Sequence, residues 1–597
     1  MRILPGLLAA IALCAHADDA ATRSGVGINL NPPKYWSSDW PFIDEFKRAG
    51  GWFTECAAAM PQCKDFAKGA SARNTKEQDR LELDEHGWVK RLPAADDATV
   101  KFRSVGTLLF QGNGGAHPAG RYVVLYDGRG VIEYAGAGKK IASASRPGRD
   151  VLQVSNTPAK GLTIRIRRTA EGDHLRNIRV IGPGGVCADA PRVHVPEQSA
   201  CRPGTYKSLE QLHTMQTFHP VFLADLQGFR TLRFMPWSGT NTTTMVSWNE
   251  RPRLTDAKWA SDNGVPLEAM LELSAALRAD PWISVGARVD DDYIRRLAQL
   301  ARQSIKPPNV LVFEYGNEPW NTAPPYNRAG EHYERKARER WPRASAEPRE
   351  LQLNWYAYRS AEACRIVKRE FAGDAGRVKC VVNAHPSYAP VAQTMLACEL
   401  AKADLGRPCA REFDALAIAP YFGNYIRQAH HRQAVGRWTA EPDGGLALLF
   451  QEITGRDAQG RPATAPLYVR GGRTSRDGAL ARTREGMLAN KKVADEHGLP
   501  LIAYEGGQHL TGFRGDKVDA LFLAAQRDPR MGAALTRHYE DWKAVGGQFY
   551  VAYSYAGRYG RGNYWGMKEY QLDDAAPKWQ ALKAFRDAPC WWEGCSK

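Results

Sequence analysis

Two glutamates stand where short apolar runs end. Glu318 lies in Gly316-Asn317-Glu318-Pro319-Trp320, directly after Val310-Leu311-Val312-Phe313-Glu314-Tyr315. Glu505 lies in Tyr504-Glu505-Gly506-Gly507, directly after Pro500-Leu501-Ile502-Ala503. A pair of carboxylates can do two jobs at once. One, protonated, gives a proton to a leaving oxygen, while the other, charged, attacks carbon; glycoside cleavage needs that division. A retaining pair sits about 5–5.5 Å apart, where each charge raises the other's pKa. The two glycines after Glu505 permit close backbone approach. Other constellations are weaker. Asp290-Asp291-Asp292 reads as a solvent-facing cap at a helix start rather than a cation site. His430-His431 lacks the i, i+4 spacing of a helical metal pair, and the chain contains no GxSxG elbow. Neither a metal nor a cofactor is expected.

The elements that must position these residues alternate. From about residue 205, helical stretches at 209–227, 267–277, 293–303, 351–371, 391–401, 480–497 and 531–545 are interleaved with apolar strands. Val26–Leu30 supplies strand one and Phe229–Phe234 strand two; the strands near 282, 310, 378, 413, 500 and 548 complete eight. Such alternation predicts an α/β fold, a (β/α)8 TIM barrel whose site lies just beyond the strand ends. Glu318 then ends strand four and Glu505 strand seven. Between strands one and two, short alternating runs separated by Gly, Asn, Asp and Pro predict an inserted antiparallel β-sandwich. The domain limits are 18–80 for the first strand and lead-in, 81–183 for the sandwich and 205–589 for the catalytic barrel. Asn424–Ser475, rich in Gly, Arg and Pro, is expected as an elaborated loop after strand six.

Asn317-Glu318-Pro319 after strand four, with Glu505 after strand seven, resembles the 4/7 superfamily of retaining glycoside hydrolases (clan A), which includes family 5 cellulases and mannanases and the xylosidase-like family 39. The resemblance covers roughly residues 26–31 and 205–585. It implies Glu318 as acid/base and Glu505 as nucleophile. It implies Asn317 as a contact to the sugar 2-hydroxyl and Arg233 as the arginine that keeps the nucleophile ionised. It further places the strand-five histidine on His385, the strand-six tyrosine on Tyr421 and the strand-eight tryptophan on Trp565. Trp237, Trp320 and Trp565 are divided between core packing and sugar stacking. The sandwich and the long loop after strand six depart from a plain family 5 enzyme and leave the substrate open. A β-linked glucan, xylan or mannan is the broad expectation.

Composition fits an exported protein. Arg2, the apolar run Ile3–Leu13 and Ala15-His16-Ala17 form a cleavable signal over residues 1–17. That run is too short to span a bilayer. Cys14 would serve a lipoprotein, but Leu13 is a poor residue before a lipidated cysteine. Of 11 cysteines, 11 − 1 = 10 remain after cleavage, an even number that suggests disulfides between sequence neighbours: 56–63, 187–201, 364–380, 398–409 and 590–595. The expected location is secreted or periplasmic. The net charge of +16 is spread along the chain, without a nucleic-acid motif; it suits a basic surface or an anionic polysaccharide. The 17 Trp and 23 Tyr point mildly to carbohydrate, because sugar C–H faces stack on aromatic rings. Two alternatives stay open: a polysaccharide-binding protein on an inactive barrel, and a transglycosylase that uses the same carboxylates.

Overall fold

The computed structural model describes residues 24–56, 74–470, 473–512, 516–560 and 564–595. The expected signal at 1–17 and Cys63 lie outside them. Eight parallel strands close a barrel in chain order. They are β1 (Val26–Asn29), β2 (Thr231–Arg233), β3 (Asp280–Val285), β4 (Leu311–Tyr315), β5 (Val378–Ala384), β6 (Ala415–Ile418), β7 (Leu501–Ala503) and β8 (Tyr550–Ala552). Strand β8 returns to β1 through Val26 opposite Tyr550. These strands are mostly apolar because helices cover one face and the packed barrel interior the other. The polar exceptions include Asn29, Arg233, Ser284, Glu314 and Asn383, each 0% exposed. Register sets Asn29 beside Arg233 and Ser284 beside Glu314. Left unpaired, such groups would cost several kcal/mol each, on the order of 2–7 for a neutral one. They bond to one another instead.

Most helices lie where the periodicity predicts, such as Leu267–Leu277 and Gly478–Glu496. Asp290 caps the helix Asp291–Ser304 by accepting the Tyr293 N–H at 2.7 Å, as the acidic run suggests. Two expectations change. The stretch 209–227 is not one helix but two, Leu209–Leu212 and Pro220–Leu226. Proline cannot continue a helix but starts one well, and His219 caps it by accepting the Val221 N–H. The segment 424–475 is not a plain loop. It holds the helices Arg432–Trp438 and Leu446–Thr454, which bury Val435, Trp438, Leu449, Phe450 and Ile453. Buried Glu452 anchors this insert by accepting the N–H groups of Leu467 (2.8 Å) and Tyr468 (3.1 Å) and the Tyr425 hydroxyl. The apolar runs are short, and the surrounding Gly and Pro mask their period.

Between β1 and β2 the chain forms two four-stranded antiparallel sheets. One contains Phe53–Glu55, Ser104–Leu109, Leu162–Thr169 and Gly130–Gly136; the other Gly138–Lys140, Arg149–Val154, Gly120–Asp127 and Arg176–Ile181. Their facing sides share one core, with Val105, Ile164 and Ile166 against Tyr122, Leu152 and Val180. Leu162–Thr169 buries Leu162, Ile164 and Ile166 in alternation, as its sequence requires. One sandwich loop rests on the strand-end face of the barrel. There Trp40 Nε1 donates to Ala116 O (2.9 Å) and Arg558 Nη1 to Gly112 O (3.0 Å).

Disulfides join Cys187 to Cys201, Cys398 to Cys409 and Cys590 to Cys595. Cys56 is also disulfide-bonded. The expected 364–380 bridge is corrected: both residues are buried free thiols. Cys364 sits on the helix Pro348–Glu370 and Cys380 on β5, so the two thiols meet across a helix–strand interface without an S–S bond. Among the described residues, no helix is long and apolar enough to cross a membrane.

Candidate active site

Arg233, at the end of β2, is the centre of the polar cluster. Its Nη1 donates to Glu505 Oε1 (2.7 Å) and Asn29 Oδ1 (3.1 Å). Its Nη2 donates to Glu314 Oε2 (2.9 Å) and Asn317 Oδ1 (3.0 Å), and its Nε to Glu314 Oε2 (3.1 Å). One guanidinium thus ties together β1, β2, β4 and β7. Burial alone would lower its pKa; the charges of Glu314 and Glu505 outweigh burial and raise it. Glu314 accepts further bonds from Trp282 Nε1 (2.9 Å), Ser284 Oγ (2.5 Å) and Asn383 Nδ2 (2.9 Å). A buried carboxylate so fully bonded is a fixed strut.

Glu505 is 5% exposed and receives the Tyr421 hydroxyl on Oε2 at 2.9 Å as well as Arg233 on Oε1. The chain turns sharply behind it. A Cβ on Gly506 would lie 2.2 Å from the Tyr550 hydroxyl, so the close approach requires glycine. Glu318 adopts a left-handed backbone with φ +47°, an uncommon and costly state for a residue other than glycine. Its N–H is held by Asn383 Oδ1 (3.0 Å). Its carboxyl accepts from Asn321 Nδ2 (2.7 Å) and the Tyr504 hydroxyl (3.1 Å). Asn383 therefore links Glu314 to the backbone of Glu318, just as Arg233 links Glu314 to Glu505.

Burial pushes both carboxyls up, Glu505 to about 7. Arg233 draws Glu505 back down, and the charge of Glu318 opposes that. The charge of Glu318 acts on Glu505, so the two carboxyls titrate together and compete for a proton. The partners decide where it rests. Glu505 meets a guanidinium and a phenol; the side chain of Glu318 meets only neutral donors. Glu505 is therefore the better supported of the two as an anion.

The remaining residues named from sequence divide. Asn317 joins the cluster, and its Nδ2 donates to Asn241 Oδ1 (3.2 Å). Trp320 packs 6.3 Å from the Tyr504 ring, beside the bond that Tyr504 makes to Glu318. The His385 ring lies 6.1 Å from Trp320, and its Nδ1 takes the Ser387 N–H rather than a carboxyl of the pair. Burial, with Arg349 nearby, lowers its pKa. Trp565 stands in the loop after β8, 5.5 Å from His509 and 6.0 Å from Tyr553. The aromatic directly after β8 is Tyr553, within the field of Glu505. Trp237 is a correction: it is 1% exposed, stacked on Phe222 and bonded to Asn31 O, and so belongs to the core.

Several residues of the cluster escaped the sequence reading: Glu314, Asn383, Asn29, Tyr504 and Tyr553. A signal was present for two. Glu314 is a lone acid inside an apolar strand, and Asn383 is the penultimate residue of another; each implies a buried partner.

No family model and no curated protein matches the sequence. Solved structures similar to the chain include a 4-O-α-L-rhamnosyl-β-D-glucuronidase from Fusarium oxysporum 12S, at 11% identity and TM-score 0.34 over 61% of this chain and 62% of that one. A GH51 arabinofuranosidase from Xanthomonas axonopodis pv. citri gives 12% and 0.30 over 56% and 60%. A family 1 β-glucosidase from Thermotoga maritima gives 13% and 0.31 over 62% and 86%. The chain thus spans about 60% of the length of the first two. Identities and scores this low transfer no activity.

Proposed function

We propose that the protein is a retaining glycosidase that acts on a β-linked polysaccharide or oligosaccharide after export. The observation that carries this reading is the unequal support of the two carboxyls: Arg233 and Tyr421 on Glu505, and only Asn321 and Tyr504 on the side chain of Glu318. In the first step Glu505 attacks the anomeric carbon, and the bond to the leaving oxygen breaks. That oxygen takes the proton from Glu318. In the second step Glu318 removes a proton from water as the water oxygen bonds to the anomeric carbon. Glu505 leaves, and the configuration is retained. In this reading Asn317 contacts the sugar beside the nucleophile, and Trp320 and Trp565 contribute rings near it. Three disulfides support the exported setting.

The test is a glycan panel with the intact protein, Glu505→Gln and Glu318→Gln. The expected loss in Glu318→Gln is about 10²–10⁴-fold in kcat, as for removal of a general acid–base. The loss should shrink on aryl glycosides whose leaving group needs no proton. Full activity of either variant on a verified substrate sinks the assignment.

A further inference from the structure

The loops after β1 and β8 enclose a second space on the same face of the barrel. Its volume is about 430 Å³, and Asn31, Trp36, Ser38, Arg558 and Tyr559 line it, with Gly112 reaching in from the sandwich. Asn31 lies two residues beyond Asn29, and Ala556, also in the lining, three beyond Tyr553. The floor is therefore within about 7 Å of Asn29, which bonds Arg233, and about 11 Å of Tyr553, which lies in the field of the two carboxyls, by the reach of extended chain.

The chemistry of the lining is specific. Trp36 is 49% exposed and braced edge-on by Tyr35 at 4.6 Å, so a large ring stands open to a ligand. Asn31 uses its Nδ2 on Ala556 O (2.5 Å), and its Oδ1 is buried without a hydrogen-bond partner among the described residues. Arg558 is the single charge in the lining, which contains no acid. Among the described residues only its Nη1 is engaged, by Gly112 O. The remaining donors of a planar fork are left for an anion, and the fork matches a carboxylate. The walls are held by Tyr559 Oη to Gly566 O (3.0 Å), Gly557 N to Lys568 O (3.0 Å) and Ser38 Oγ to Glu569 O (2.8 Å). The larger groove on the sandwich differs: Arg91 there is paired with Glu82, and Arg103 is bound to four carbonyls.

We propose that the cavity at Trp36 and Arg558 is an outer subsite for a sugar that carries a carboxylate, which makes the substrate a uronate-containing glycan. This rests on the glycosidase reading above. The net charge of +16 would favour the approach of such a polymer.

The experiment compares two β-linked acidic polymers, glucuronoxylan and poly-β-mannuronate, with the same polymers after chemical reduction of their carboxyls. Arg558→Gln keeps a donor for Gly112 O and removes the charge; Trp36→Ala is the second variant. Cleavage of an acidic polymer is expected. Arg558→Gln should lower its kcat/KM by about ten- to a hundredfold through KM, the loss of one charge-assisted contact. Its rate on the reduced polymer should hardly change. Equal losses on both forms, or cleavage of neutral polymers alone, overturn the subsite and leave the glycosidase reading standing. If nothing is cleaved, binding to Glu505→Gln in affinity electrophoresis decides. Retention by an acidic polymer that Arg558→Gln abolishes upholds the subsite and sinks the glycosidase reading; no retention overturns both.

Discussion

Arg233 and Arg48 are both fully buried, yet their surroundings differ. Arg233 lies at the barrel mouth between two acids, and its bonds tie β2 to three other strands. Arg48 lies between the first barrel loop and the sandwich. It bonds Glu45 and the carbonyls of Ser37 (3.0 Å) and Lys34 (3.4 Å), and it covers the Phe110 ring. Its Nη2 has no hydrogen-bond partner among the described residues, nor has the Oδ1 of nearby Asp39. One arginine holds a charged carboxylate ready at a cleft. The other clamps two layers together and leaves donors and acceptors mismatched. Equal burial therefore says nothing of role; the direction of the bonds does.

Removing the acid partner of each arginine should break the comparison most strongly. Glu505→Gln should lower kcat by at least about 10³-fold, as loss of a nucleophile does, with thermal stability little changed because Arg233 keeps Glu314. Steady-state kinetics beside a melting curve checks this. Glu45→Gln should do the reverse. It leaves the Arg48 charge uncompensated and should cost about 3–5 kcal/mol in denaturant unfolding, with kcat of the folded fraction unchanged. A kinetic effect from Glu45→Gln would erase the distinction between the two sites.

Smaller changes sharpen it. Tyr421→Phe deletes the phenol that donates to Glu505 and should lower kcat/KM by about ten- to a hundredfold, the value of a bond to a charged group. Its pH profile should shift too, because the charge on Glu505 loses a donor. Asp39→Asn tests the clamp. Burial pushes Asp39 up to about 7 despite Arg48. A carboxyl raised in the folded state binds its proton more tightly there than when unfolded. Asp39 therefore erodes stability as pH rises from about 4 to 7. Asp39→Asn should flatten that decline and raise stability more at pH 8 than at pH 4, as read by unfolding at a series of pH values. An unchanged slope would contradict the buried, mismatched Asp39.

The barrel was legible because eight apolar strands and their helices repeat with a clear period, and Glu318 and Glu505 followed from strand ends. The network around them was less so. Glu314 and Asn383 sit inside strands, where a reader looks for core, and their meaning depends on the register that sets Ser284 beside Glu314. Trp237 and Trp565 show the converse. Both follow strands in sequence, but only packing separates a core tryptophan from one at the rim. The 364–380 cysteines were paired by proximity in sequence, which carries no information on bonding. The helices of the 432–454 insert are short, and tertiary burial rather than propensity fixes them.

The most direct test is the configuration of the first product. A β-linked substrate cleaved by the intact protein should release a β-configured sugar in proton NMR spectra recorded before mutarotation, as expected when Glu505 attacks from about 5–5.5 Å across from Glu318. Release of the α-configured sugar first would mean that water, not Glu505, attacks the anomeric carbon, and would contradict the account.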